Sequence, residues 1–135
     1  MSQPEKRGFP APAWLKNRKT LGRWGEEQAA ATLQARGMAL LHRNWRCRHG
    51  EIDLILRDGS ELVFVEVKTR RTDAAGLPEE ALTERKAAQL MRLANFYLAE
   101  EDPDTEWRID LVAVECDAGG RLRRCEHLPC VVWGW

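Results

Sequence analysis

A chain of 135 residues, 44% hydrophobic and 31% charged, holds enough apolar material for one core and is too short for several. Its 21 Lys and Arg balance 21 Asp and Glu, which excludes a uniformly basic nucleic-acid coat. The balance is uneven: residues 1–50 hold ten Lys/Arg against three Asp/Glu, and residues 51–135 hold eleven against eighteen, marking either a phosphate-binding face or a solvated basic tail.

Residues 1–20 carry Pro4, Pro10 and Pro12 among Lys, Arg, Gly and Gln, and read as a flexible arm ahead of a single domain over 21–135. The arm lacks the apolar core of a signal peptide, and no apolar run approaches the ~20 residues that span a bilayer, so a cytoplasmic protein without membrane contact is expected. Gly22 to Arg36, rich in Ala, Glu and Gln and closed by Gly37, predicts the first helix. On its wheel Glu26 shares the inward stripe with Ala29, Ala30 and Leu33, while Glu27 faces out. A glutamate on the core side of a helix is an anomaly.

Met38-Ala39-Leu40-Leu41 predicts a strand, followed by a basic, aromatic stretch, Asn44-Trp45-Arg46-Cys47-Arg48-His49. Trp45 reads as core, and at least one of Arg43, Arg46 and Arg48 as a phosphate contact. His49 adjoins the next motif, though a lone loop histidine more often has no chemical task. Gly50-Glu51-Ile52-Asp53-Leu54-Ile55 and Leu62-Val63-Phe64-Val65-Glu66-Val67-Lys68, separated by Arg57-Asp58-Gly59-Ser60, predict a β-hairpin. Alternation puts Glu51, Asp53 and Ile55 opposite Ile52, Leu54 and Leu56, and puts Leu62, Phe64, Glu66 and Lys68 opposite Val63, Val65 and Val67. Both faces of the second strand are apolar, as in a central strand.

Arg70 and Arg71 leave that strand either as phosphate ligands or as a solvated strand end, ahead of a loop through Asp73–Pro78. Glu79 to Glu100 predicts the second long helix, with Leu82, Leu90, Leu93 and Tyr97 as its stripe. Lys86 lies within the stripe and either snorkels or reaches a substrate phosphate. Glu106 to Glu115 predicts another strand, with Asp110 either paired to Arg108, the favoured reading, or supporting the site from behind, and Gly119-Gly120 turns into a last strand pair, Leu122–Cys125 and Cys130–Trp133. The four cysteines read as ordinary core or edge residues, because they form no Cys-x-x-Cys knuckle. Among six tryptophans, Trp133 and Trp135 either seal the core or form a dimer patch.

The chemistry follows from ionisable residues set in strands that read as buried. A lone buried carboxylate is costly, so it is paired, hydrogen-bonded or metal-bound. Asp53 and Glu66 bring hard oxygens to one point, which suits Mg²⁺ or Mn²⁺, and Glu26 adds a third carboxylate. Lys68 lies on the side of Glu66, where it can position an attacking water or offset charge on a phosphate. The plain alternative is a Lys–Glu ion pair beside a hairpin-edge Asp.

Gly22-x-x-Gly25-Glu26, then Gly50-Glu51-Ile52-Asp53-Leu54-Ile55, then Phe64-Val65-Glu66-Val67-Lys68-Thr69-Arg70, resembles the YraN family of small bacterial proteins. That family is in turn similar to archaeal Holliday-junction resolvases and the PD-(D/E)xK nuclease superfamily. The resemblance spans about Leu21 to Glu115; the superfamily proline is absent, since Ile52 precedes Asp53. It implies an α/β, restriction-endonuclease-like fold, a central mixed β-sheet flanked by helices. It also implies Glu26, Asp53 and Glu66 as metal ligands, Lys68 as the fourth catalytic residue, DNA as substrate (with branched DNA among the candidates), a homodimer, and a lysine at the place of Lys86. The competing expectations are a nucleic-acid-binding or adaptor module with this fold and little activity, and a nuclease acting on RNA.

Overall fold

The structure, a computed structural model, describes residues 12–72 and 82–133. Its elements run α1 (Ala13–Lys16), α2 (Arg18–Ala35), β1 (Ala39–Cys47), β2 (Gly50–Asp58), β3 (Glu61–Arg71), α3 (Glu84–Glu101), β4 (Trp107–Cys116) and β5 (Leu122–Trp133). The strands form one mixed sheet in the order β1-β2-β3-β4-β5. Only β3 and β4 pair in parallel, as the helical crossover α3 between them requires.

Each face of the sheet is covered by one long helix. Ala29, Ala30 and Leu33 of α2 pack on Leu54, Leu56, Val63, Val65, Val112 and Val114. Leu90, Leu93 and Tyr97 of α3 pack on Ile52, Ile55, Leu62, Phe64 and Ile109 on the other side. β3 is thus the apolar, doubly covered centre expected from its sequence. Trp45 packs with the second cluster, its ring edge-on to Tyr97 at 5.4 Å. No helix among the described residues is long and apolar enough to cross a membrane, and the four cysteines form no disulfide among them.

The local causes are plain for α2. Asn17 Oδ1 accepts from Lys19 N and Thr20 N at its start. At its end Gly37 takes φ 96°, with Gly37 N–H donating to Gln34 and Met38 N–H to Leu33, the hydrogen-bond pair of a glycine-capped helix.

Four features differ from the sequence reading. Residues 13–16 and 18–20 are helical where an arm was expected over 1–20. Leu15 is buried, Trp14 lies 5.5 Å from Trp24, and Thr20 Oγ1 donates to Trp14 O, so tertiary packing orders a polar stretch. Residues 1–11 lie outside the described residues, as do Asp73–Pro78, the expected start of the second helix at 79–81, Trp135 and the side chain of Trp133. β1 continues through the basic stretch to Cys47; as an exposed edge strand it has no alternation to read. β5 is one strand where two were expected. It stays continuous across Pro129 because Cys130, at φ 55°, turns its N–H to Asp110 Oδ1 at 2.9 Å, and an edge strand tolerates proline.

The fourth difference bears on the site. Ile52 packs on the α3 side with Ile55, while Leu54 packs on the α2 side. Strict alternation therefore fails at Asp53. Asn44 and Asp53 are both missing from the β1–β2 ladder, and β2 pairs with β3 only as far as Leu54↔Val65. Beyond Val65, β3 pairs with β4 alone. The two hairpin strands fork at Asp53.

Candidate active site

The fork opens between Asp53 on β2 and Glu66 on β3. Asp53 Oδ2 accepts the Val67 N–H at 2.8 Å, which replaces the ladder bond given up at the fork. The Asp53 and Glu66 carboxyls lie within hydrogen-bond reach of one another. Burial first, and then the Glu66 charge, push the Asp53 carboxyl up to about 8, against the lowering pull of the Val67 N–H. The burial and neighbouring charge that favour protonation of Asp53 are what a positive charge would offset. Lys86, from the first turn of α3, supplies part of one: its Nζ is 3.4 Å from Glu66 Oε2.

Glu26 comes to the site from α2, half-buried, with Glu27 exposed beside it. Burial raises its pKa, Glu51 and Glu66 raise it further, and Asn44 and Arg23 oppose them. Asn44 Nδ2 donates to Glu26 Oε1 at 2.9 Å and to Glu51 Oε1 at 2.8 Å. One amide nitrogen thus ties a helix acid to a strand acid. Asn44 does so from φ 50°, a left-handed backbone that asparagine tolerates and most residues do not.

The expected convergence of Glu26, Asp53 and Glu66 is therefore incomplete. Among the described residues no three His, Cys, Asp or Glu side chains are grouped to hold a metal. Asp53 and Glu66 meet, whereas Glu26 is held beside them by Asn44 and acts on both only through its charge. The two that meet still suit a hard cation: they are oxygen donors short of positive charge, and magnesium commonly takes one or two carboxylates and keeps its waters.

The cations divide among four places. Lys68, Arg70 and Arg71 line an open cleft of about 510 Å³ with Leu15, Lys16 and Arg18. Arg46 pairs with Glu51 at 3.0 Å and, with Arg18, Lys19, Arg23, Glu26 and Asn44, lines a second cleft of about 320 Å³. Arg43 is exposed on the edge strand β1, opposite Leu54 in the ladder. Arg48 Nε donates to His49 Nε2 at 3.2 Å. The His49 ring lies on Phe96 rather than beside the acids.

Sequence reasoning missed Asn44 and Glu51 as parts of the site, and missed Arg18, Lys19 and Arg23 as lining of its clefts. The last three carried a signal. α2 has no acid in its first turn and begins Arg18-Lys19, placing cations at the positive end of the helix dipole, where they are unfavourable without an anion.

Asp110 is fully buried. It accepts from Arg108 Nε at 3.0 Å, as the sequence suggested, and also from His127 Nε2 at 2.7 Å and from the Cys130 N–H. Arg108 also donates to Asp58 and Glu61. This network locks β5 and the hairpin turn to β4.

In sequence, the profile of the uncharacterised protein family UPF0102 matches residues 25–114. A UPF0102 protein of Roseiflexus castenholzii is 45% identical over 117 residues, covering 85% of this chain and 94% of the relative. One of Beutenbergia cavernae is 49% identical over 115 residues, covering 84% and 97%. One of Frankia alni, UPF0102 protein FRAAL5785, is 49% identical over 115 residues, covering 84% and 95%.

Proposed function

The chain belongs to the uncharacterised protein family UPF0102, and we propose that it is a Mg²⁺- or Mn²⁺-dependent nuclease, with a restriction-endonuclease-like core, that hydrolyses phosphodiester bonds in DNA. One observation carries the reading: Asp53 and Glu66 face each other across the fork, and burial and the Glu66 charge press the Asp53 carboxyl upward where a cation would satisfy both. Structural ion pairs are neutralised by their partners, whereas among the described residues the cation paired with these two acids is Lys86, at 3.4 Å from Glu66.

In this reading Asp53 and Glu66 hold the cation. The Val67 N–H keeps the Asp53 carboxylate aimed into the fork, and Glu26, tied by Asn44, deepens the negative potential that attracts the ion. The bound ion supplies a Lewis acid toward the scissile phosphate and lowers the pKa of coordinated water. Lys68 offers three N–H donors to a phosphate oxygen from its strand, and Arg70 and Arg71 continue a cationic wall for the backbone. Lys86, 3.4 Å from Glu66, would stand where it could also meet a second phosphate. Branched DNA and a homodimer follow from the likeness to resolvases, and the same residues serve on RNA.

Calorimetric titration with Mn²⁺ tests the pair directly. Wild type is expected to bind with release of close to one proton at pH 7, since Asp53 deprotonates on binding. Asp53→Asn is expected to lose at least about 10-fold in affinity. Equal binding by both proteins, or none by wild type, favours an adaptor that keeps the fold.

A further inference from the structure

The outer face of α3 carries a second pattern, separate from the acids. Arg85, Ala88, Gln89 and Arg92 line an open cleft of about 440 Å³. Phe96 continues the stripe, since these positions recur at helical spacing. Phe96 is 38% exposed, and its ring lies parallel to that of His49, with centroids 4.3 Å apart and planes within 3°. Arg48 Nε donates to the edge of the same histidine. Two stacked rings therefore stand at the surface between Arg48 and the α3 arginines.

Neither packing nor local ion pairing explains this arrangement. Leu90, Leu93, Tyr97 and Leu98 of α3 are already buried in the core on its inner face. The helical neighbours of Arg92 are Ala88, Gln89, Asn95 and Phe96, and those following Arg85 are Ala88 and Gln89, so no acid stands at the spacing where a surface arginine finds one. An exposed aromatic pair with cations on both sides matches one ligand chemistry: a flat nucleobase on the rings and phosphates on the guanidinium groups.

We propose that the outer face of α3, with the β1–β2 turn, binds single-stranded nucleic acid: a base stacks on the His49–Phe96 pair, and the flanking phosphates lie on Arg48, Arg85 and Arg92. A duplex keeps its bases stacked inside and cannot use the platform. The strand also has a route to the acids. Gln89 Nε2 lies 3.2 Å from where a Cβ on Gly50 would stand, Gly50 precedes Glu51, and Lys86, next to Arg85, reaches Glu66. The inference rests on the nuclease reading for what the strand is held for, and it names the substrate class: DNA with a single-stranded portion beside the scissile bond. The binding itself needs no metal.

Fluorescence anisotropy tests it, using a labelled 20-nucleotide thymidine strand and a matched 20-base-pair duplex at low salt in EDTA. Wild type is expected to bind the single strand more tightly than the duplex. Phe96→Ala and His49→Ala are each expected to weaken single-strand binding by about 5- to 100-fold, with Phe96→Trp retaining it. Arg92→Glu is expected to weaken binding and flatten its salt dependence. The proposal is overturned by wild type that ignores the single strand or prefers the duplex. It is equally overturned by Phe96→Ala that binds like wild type, or by Phe96→Trp that is folded by its melting curve yet loses binding as Phe96→Ala does. Failure of the nuclease reading looks different: single-strand binding persists in EDTA, and no metal produces cleavage.

Discussion

Gly25 and Thr69 touch: a Cβ on Gly25 would stand 1.8 Å from Thr69 Oγ1 and 2.8 Å from Thr69 Cβ. This contact seats α2 on β3 one residue before Glu26 and three residues after Glu66, and it fixes how near the helix acid comes to the sheet acids. Thr69 Oγ1 is buried there without a hydrogen-bond partner among the described residues, a cost accepted for the close approach.

Two substitutions in one helix should therefore have opposite signs. Gly25→Ala drives a methyl into Thr69 and is expected to lose about 1–3 kcal/mol, as overpacking does, and to weaken Mn²⁺ binding by displacing Glu26. Gly22 has open space around its Cβ position, so Gly22→Ala should gain up to about 1 kcal/mol from helix propensity. Urea unfolding of both variants decides it, and two gains would mean that the helix is free to shift on the sheet.

The metal-free protein should be more stable at pH 5 than at pH 8. Asp53 rises from an ordinary 3.8 to about 8 in the folded state. Between those values the folded chain holds a proton that the unfolded chain has released, so stability falls as pH rises across that window. Asp53→Asn removes the ionisation, and its melting temperature should fall less between pH 5 and pH 8 than that of wild type. Parallel profiles for the two proteins would remove Asp53 as the source.

Asn44 separates stability from function. Asn44→Gly relieves the left-handed backbone at φ 50°, so its stability should match or exceed wild type by up to about 1 kcal/mol. It also frees Glu26 and Glu51 from their shared donor, so Mn²⁺ affinity should fall several-fold. A variant that is destabilised with its affinity intact would show the amide to be a structural tie alone.

The buried network around Asp110 should behave in the opposite way. Arg108→Met leaves Asp110, Asp58 and Glu61 without their common cation, and removing one partner of a buried pair costs about 3–5 kcal/mol. Chemical denaturation should register that loss. A change below about 1 kcal/mol would mean that His127 and the Cys130 N–H suffice for Asp110.

Much of this architecture is legible in the sequence. The two long helices follow their 3.6-residue stripes, and the hairpin follows its apolar runs about Asp58-Gly59. The inward aim of Glu26 follows from its phase with Ala29, Ala30 and Leu33. Other features depend on contacts distant in sequence. Trp14 and Leu15 become helical because Trp24 and the α2 side of the fold receive them. The Cys125–Cys130 stretch stays extended because Asp110 catches the Cys130 N–H. The fork at Asp53 has no local marker: alternation predicts Ile52 beside Leu54, and only the side-chain bond to Val67 and the left-handed Asn44 opposite explain the break. The acids were legible as misplaced charges, but Asn44, a common turn residue in a polar stretch, was not legible as the group that ties two of them.

The most direct measurement is Mg²⁺- and Mn²⁺-dependent cleavage of a panel containing duplex, single-stranded, flapped and four-way DNA and single-stranded RNA. Wild type would run beside Asp53→Asn and Lys68→Ala, each confirmed folded. Wild type is expected to cut DNA only with metal, favouring substrates with a single-stranded portion, and both variants are expected to lose at least about 100-fold in rate. Metal-dependent cleavage that persists undiminished in Asp53→Asn would contradict the account, because the chemistry would then lie away from the fork.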